Sequence, residues 1–198
     1  MTMNYPGTEP RPVTRRVATA RPFCFVHINK CAGSSVEIAL GLQKSHATAK
    51  EIRDHIGARE WDRRFTFTIV RHPAARVVSI YHYRAAQNAL GSQTPTLDQW
   101  IERTWSAASR GTDPDLRMLA PASDWLCSGE TMLVEYVARL EEMDRHWPEI
   151  CAELGVAVPL GRYNVNRYPD WRNAIGPVAK KTIQRAFSED FERFGYTF

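Results

Sequence analysis

An α/β fold around a mainly parallel central sheet, flanked by helices, is predicted by three observations. Short β-rich runs alternate with helical patterns, and two of those runs end in a cation followed by a helix start. The 198 residues, 43% of them hydrophobic, also suffice for one good-sized core. Parallel neighbours need crossover connections of roughly a dozen residues or more, and each predicted strand is separated from the next by helix.

Taken in order, residues 23–28 have the length and the aromatic and β-branched content of a buried strand. A helix follows over 34–42, with apolar positions at Val36, Ile38, Ala39, Leu40 and Leu42, a stop at Gly41, and a capping-box pattern from Ser34 to Glu37. A second helix spans 48–56 and closes at Gly57. Residues 64–71 form the next strand and run straight into His72-Pro73, where Pro73 suits the first turn of a helix continued by Val77, Val78, Ile80, Tyr81 and Arg84. Residues 89–95 read as a polar loop. Helix resumes at Thr96 or Leu97 through Trp105, and the pattern breaks over 111–121. A strand at 132–137, a helix from Arg139 or Glu142 to Leu154 ending at Gly155, and a last helix over 177–194 stopped by Gly195 complete the chain.

The segment after the first strand has the form of an anion cradle. Asn29, Lys30, Cys31, Ala32, Gly33, Ser34 and Ser35 carry a lysine through a glycine into hydroxyls, and a helix start points N–H groups and a positive dipole end at the same spot. Glycine with serine is also ordinary turn chemistry. The Walker A form is absent, because Lys30 precedes the only loop glycine, and no Gly-x-Gly-x-x-Gly supports a dinucleotide site.

A second segment repeats the logic. Arg71 ends a strand with a planar fork of donors suited to phosphate, and Ser79 adds a hydroxyl from the following helix. The competing reading pairs Arg71 with a carboxylate and leaves Ser79 bonded within its own helix. Ligands of parallel sheets bind beyond the carboxyl ends of strands. Lys30 and Arg71 both lie at such ends, so neighbouring strands would bring them to one crevice.

Net charge is +4, but the first 21 residues hold Arg11, Arg15, Arg16 and Arg21 against Glu9 alone, so the basic character is mostly a tail. Residues 1–20, rich in Arg and Pro, read as disordered, and 21–198 as the folded domain. Arginines without interleaved aromatics make a poor nucleic-acid footprint. No apolar run precedes Phe23, so no secretory signal or membrane span is expected there. Cys24, Cys31, Cys127 and Cys151 show neither C-x-x-C nor metal spacing, which fits reduced thiols in a cytoplasmic protein. Cys31 sits inside the cradle, where positive surroundings would lower its thiol pKa, yet it reads as a passive loop residue.

Together the two segments resemble the sulfotransferases that use 3′-phosphoadenosine 5′-phosphosulfate, particularly the Golgi-type and bacterial family 2 enzymes. The first family motif, His-Ile-Pro-Lys-Thr-Gly-Gly-Thr-Ser, stands here as His27-Ile28-Asn29-Lys30-Cys31-Ala32-Gly33-Ser34-Ser35. The second, Val-Arg-Asp/Asn/His-Pro-x-x-Arg-x-x-Ser-x-Tyr, stands as Val70 to Tyr81 with Arg71, Pro73, Arg76 and Ser79 in place. The likeness continues through His46-Ala47-Thr48-Ala49, Arg139-Leu140-Glu141, Asn164 or Asn166, and the ending Phe194 to Phe198. Asn29 replaces the usual proline and Ala32 the first glycine, departures that weaken the loop's fixed conformation.

The resemblance implies a P-loop-like three-layer sandwich. It implies that the loop 29–35 holds the 5′-phosphosulfate and that Arg71 with Ser79 holds the 3′-phosphate, with no metal and with 3′,5′-adenosine bisphosphate as product. Lys30 then stabilises charge on the leaving phosphate, and His46 takes the proton from an acceptor hydroxyl, with Glu37 as the rival base. His27 reads as a packed core group, and His55, His72, His82 and His146 as solvated positions. Arg139, Asn166 and Arg172 approach the ligands or form structural ion pairs. The acceptor is a carbohydrate, glycoconjugate or small molecule bearing a hydroxyl. Acceptor identity and oligomeric state are not written in these motifs. Two rival functions are a P-loop-related nucleotide kinase and a non-catalytic polyanion-binding protein.

Overall fold

The computed structural model describes residues 17–105, 116–161, 163 and 170–198. β1 (Phe23–Val26) leads through a turn into α1 (Gly33–Leu40), which Gly41 ends in the left-handed region. α2 (Ala49–Ile56) starts on a complete capping box, Glu51 N donating to Thr48 Oγ1 and Thr48 N to Glu51. α3 (Ala58–Asp62), which the sequence pattern does not announce, follows Gly57 directly and buries Trp61. β2 (Phe65–Val70) is buried along its whole length, and α4 (Pro73–Ala86) begins with Pro73 in its first turn.

Beyond α4 come α5 (Leu97–Trp105), α6 (Leu116–Leu119) and α7 (Ala122–Leu126). β3 (Cys127–Ser128) pairs antiparallel with β4 (Thr131–Met132), and β5 (Tyr136–Arg139) then passes through a 3-10 turn into α8 (Met143–Leu154). α9 (Trp171–Ala174), α10 (Pro177–Ala186) and α11 (Ser188–Arg193) complete the described chain.

The central sheet has the order β1-β2-β5 and is parallel throughout. Phe23 lies opposite Phe65 and Val70 opposite Arg139, so Lys30 and Arg71 follow neighbouring strand ends as expected. Thr68, fully buried, donates its hydroxyl to the Val26 carbonyl at 2.8 Å and so satisfies a polar group inside the sheet. One apolar cluster joins the sheet to α1, α7 and α8; a second joins α4, α5 and α10. Trp61, Trp100, Trp105, Trp125 and Trp147 are core, and only Trp171 of the tryptophans is part-exposed.

Three boundaries differ from expectation. The strand expected at 132–137 is divided: Met132 pairs with Cys127, and the central sheet takes residues 136–139, whose register on Phe67 to Val70 aligns the strand ends. The last helix breaks at Phe187, which turns Asp190 toward α7. There its buried carboxylate accepts from Ala122 N and Ser123 N at 2.7 and 2.8 Å, capping that helix. Residues 1–16 of the expected tail lie outside the described residues. Val17 N donates to Leu40 O and Ala20 N to Leu154 O, so 17–20 lie against the folded body. Among the described residues no helix is long and apolar enough to cross a membrane.

Candidate functional site

The turn between β1 and α1 owes its shape to two non-glycine residues in the left-handed region, Lys30 (φ 66°) and Ala32 (φ 60°). Ala32 is the N-cap of α1 and offers no side-chain cap, so the expected capping box from Ser34 to Glu37 is not formed. A serine two residues inside the cap cannot play that part, and the Glu37 carboxylate is engaged elsewhere. A left-handed alanine costs about 1–2 kcal/mol that glycine would not. Part of that is offset because glycine also gains freedom in the unfolded chain. Ala32→Gly is therefore expected to stabilise the fold by up to about 1 kcal/mol. Chemical denaturation measures it, and a lower stability in the variant would show that the left-handed turn is not strained.

Two arginines hold this turn from β2 and α4. Arg71 Nη1 donates to the Lys30 carbonyl at 3.4 Å. Arg76, 1% exposed, donates from Nε to Asn29 O at 3.1 Å, from Nη1 to Ala120 O at 2.7 Å and from Nη2 to Met118 O at 3.1 Å. The Asn29 carbonyl also accepts from Cys31 Sγ. These bonds restrain the position where family members carry proline. Ser35 is buried, its hydroxyl accepting from Tyr163 N, while Ser34 is part-exposed. Ser79 is buried in the second turn of α4, and among the described residues no hydrogen bond joins it to Arg71.

Burial and the neighbouring Arg71 bring the Lys30 ammonium down to about 8, and its Nζ rests 4.4 Å from the centre of the Tyr83 ring. Cys31 is the passive loop residue expected of it, although its thiol moves up and not down. Complete burial outweighs the attraction of Arg76 and Arg71 and raises its thiol to about 11, so it is a packed loop residue and not a thiolate.

The histidines divide sharply. His27, just past β1, places Nδ1 2.6 Å from Glu37 Oε1, with both side chains buried. Glu37, the rival base, is enclosed in the core with its carboxylate against the His27 ring. His46 is part-buried, its ring centre 4.4 Å from that of His27, and its Nδ1 lies 3.5 Å from the His27 carbonyl. A carbonyl only accepts, so His46 carries its proton on Nδ1 and presents a lone pair at Nε2. Burial first, and then the charge of His27, hold His46 below its ordinary pKa. Arg117 secures the loop, donating to His46 O at 2.9 Å and forming a bidentate pair with Glu51. His72 and His146 are buried, contrary to the solvated positions expected for them. His72 accepts from Ala74 N at Nδ1 and therefore donates from Nε2 to Thr197 O at 2.9 Å.

A cleft of about 560 Å³ opens beyond β2 and β5, with Arg71, Arg139, Arg172, Trp171 and Tyr196 in its walls. Arg139 stacks on Tyr196 and pairs with Glu142, and Arg172 stacks on Trp171 and pairs with Asp170, so both make structural ion pairs while facing the cleft. Glu141 accepts from His72 N and from the Tyr196 hydroxyl, tying the cleft floor together. Asn164 and Asn166 lie outside the described residues.

Sequence reasoning left Arg76, Tyr83 and Arg117 without roles. Arg76 stands in the second motif and was the most accessible of the three, whereas Tyr83 and Arg117 are tied to the site by contacts across the chain. Among the described residues no group of three or more His, Cys, Asp or Glu is placed to hold a metal ion. No curated protein and no solved structure matches the chain. A family profile described as the sulfotransferase family matches residues 15–197, nearly the whole chain, and it takes in both cation-bearing turns and the residues lining the cleft beside Arg71. The parallel sheet, the lysine-bearing turn and this match agree: the chain belongs to the sulfotransferase family.

Proposed function

We propose that the chain transfers a sulfuryl group from 3′-phosphoadenosine 5′-phosphosulfate to a hydroxyl of a carbohydrate, glycoconjugate or small-molecule acceptor. The observation that carries this reading is the convergence of Lys30 and Arg71, whose turns follow adjacent parallel strands and are joined by the Arg71 bond to the Lys30 carbonyl. The residues present fit such a donor. A helix start without a side-chain cap, a lysine and an arginine fork are donor sets for two separate anionic groups. The cleft beside Arg71 offers Trp171 and Tyr196 as aromatic walls for a base.

In this reading the turn 29–35 with Lys30 binds the phosphosulfate end, and Arg71 with Ser79 binds the 3′-phosphate. The donor, when bound, supplies an activated sulfuryl group on a phosphate leaving group. Lys30 opposes the negative charge that grows on that phosphate oxygen. His46, neutral at physiological pH and open at Nε2, accepts the proton of the acceptor hydroxyl.

The test needs no acceptor. At about 100 times its Kd, 3′,5′-adenosine bisphosphate would add about 2.7 kcal/mol to folding stability, a rise in Tm of roughly 5–10 °C for a chain of this size. Arg71→Ala is expected to abolish most of that rise. Absence of any shift in the native protein at saturating nucleotide would reject the assignment.

A further inference from the structure

We propose that Glu37 and His27 are a buried positioning pair that sets the phosphate-binding turn and His46 in one fixed mutual geometry. The inference rests on the sulfotransfer reading only for what His46 does, and not for the geometry itself.

Besides its stacking on Phe25, the His27 imidazole meets Glu37, Gly33 and His46. Its Nδ1 is held 2.6 Å from Glu37 Oε1, with the two side chains 6% and 2% exposed, so the ring has a short, dry anchor. Its edge lies against Gly33: a Cβ placed there would fall 2.0 Å from Cδ2 and 2.2 Å from Nε2. Gly33 is thus required by the histidine behind the turn, whatever the turn binds. The ring and the backbone carbonyl together face His46, at 4.4 Å between ring centres and 3.5 Å from its Nδ1. Glu37 belongs to α1, the helix that the turn begins, so the pair ties that helix to the end of β1. Movement of one imidazole would therefore displace the turn and His46 together.

The charged groups around His46 come from several elements. His27 follows β1, Glu37 lies on α1 and Lys44 in the loop of His46 itself, while Arg117 of α6 holds the His46 carbonyl and pairs with Glu51 of α2. Arg117 and Glu51 act on the backbone side. His27 is the neighbour that also touches the turn.

The pair is tested on the unliganded full chain by following the His46 ring through a pH titration by NMR, with His46→Gln to assign its signal. The native midpoint is expected below 6.5. In His27→Gln the amide still donates to Glu37 and keeps the core satisfied, while the ring and its charge are gone. The His46 midpoint then moves up toward 6.5, the value of an unperturbed imidazole. An unchanged midpoint in the folded variant would overturn the proposal.

Nucleotide binding supplies a second reading. Glu37→Leu frees the ring and is expected to weaken binding of 3′,5′-adenosine bisphosphate about 10-fold or more, since small displacements of a positioned group carry large penalties. Glu37→Gln retains an oxygen that accepts from Nδ1 and restores most of the affinity. Glutamine behaving as badly as leucine would also overturn the pair. If Glu37→Leu does not fold, Gly33→Ala pushes the ring from the side of the turn, and a His46 midpoint that stays at its native value in that variant would overturn the pair. The titration uses neither donor nor acceptor. A native protein that ignores the nucleotide would reject the sulfotransfer reading and leave the titration to decide the pair.

Discussion

Lys30→Ala is expected to cut sulfuryl transfer by about 10²-fold or more at saturating donor, the scale of losing one preorganised group aimed at developing charge. The structure makes this lysine unusual in two ways. Its backbone is left-handed, with its carbonyl held by Arg71, and its ammonium is desolvated over Tyr83, which brings it down to about 8. Only the protonated amine stabilises a leaving phosphate. On the proposed mechanism, kcat/KM is therefore expected to fall as pH rises through about 8, and on the acid side as His46, held below its ordinary 6.5, takes up a proton. Bound phosphate groups favour the ammonium, so the alkaline limb of kcat lies at higher pH than that of kcat/KM. Lys30→Ala should remove the alkaline limb along with the rate. Steady-state profiles with and without the substitution check both, and unchanged turnover with nucleotide still bound would remove Lys30 from its role.

Arg76→Met is expected to cost about 3–5 kcal/mol of folding stability, the scale of leaving three buried carbonyls without donors at about 1–3 kcal/mol each, less what water restores. Methionine matches the length of the side chain, yet the carbonyls of Asn29, Met118 and Ala120 lose their donors together. The buried carboxylate of Asp190 also loses a neighbouring positive charge, although Ala122 N and Ser123 N still serve it. Because one guanidinium links the turn between β1 and α1 to the segment running from α6 into α7, the proposed nucleotide affinity should fall along with stability. Urea unfolding with calorimetry of nucleotide binding separates the two effects. A loss below about 1 kcal/mol would mean that the carbonyls find water instead.

The strand-to-helix units at Lys30 and Arg71 were legible because each is local. An apolar run of β-formers, a cation and a helix start lie within a dozen residues or so, and Pro73 marks its helix in the first turn. β5 was less so. Residues 132–137 are as β-prone as 136–139, and only the partner decides which of them pair, Cys127 with Met132 and Phe67 to Val70 with Tyr136 to Arg139. Glu37 read as a capping residue because its spacing from Ser34 suits one, but a histidine from the end of β1 competes for the same carboxylate and takes it. The Cys31 thiol shows a related limit of the sequence. The positive charges around it are visible in the motifs, whereas the burial that outweighs them is a property of the assembled core.

The order of the central sheet has a consequence for how the chain reaches its native state. β2 is flanked by β1 and β5, and neither is a local partner: Phe23 must find Phe65, and Val70 must find Arg139. No hairpin nucleates this sheet, so chain entropy is lost before strand pairing compensates for it, a topology that places folding among the slower α/β domains. On the ribosome, β1 and β2 are able to pair before β5 has been made, leaving the far edge of β2 as an open ladder of buried-strand sequence until Arg139 emerges. During that interval nascent chains are most exposed to aggregation through Phe67, Thr68, Ile69 and Val70.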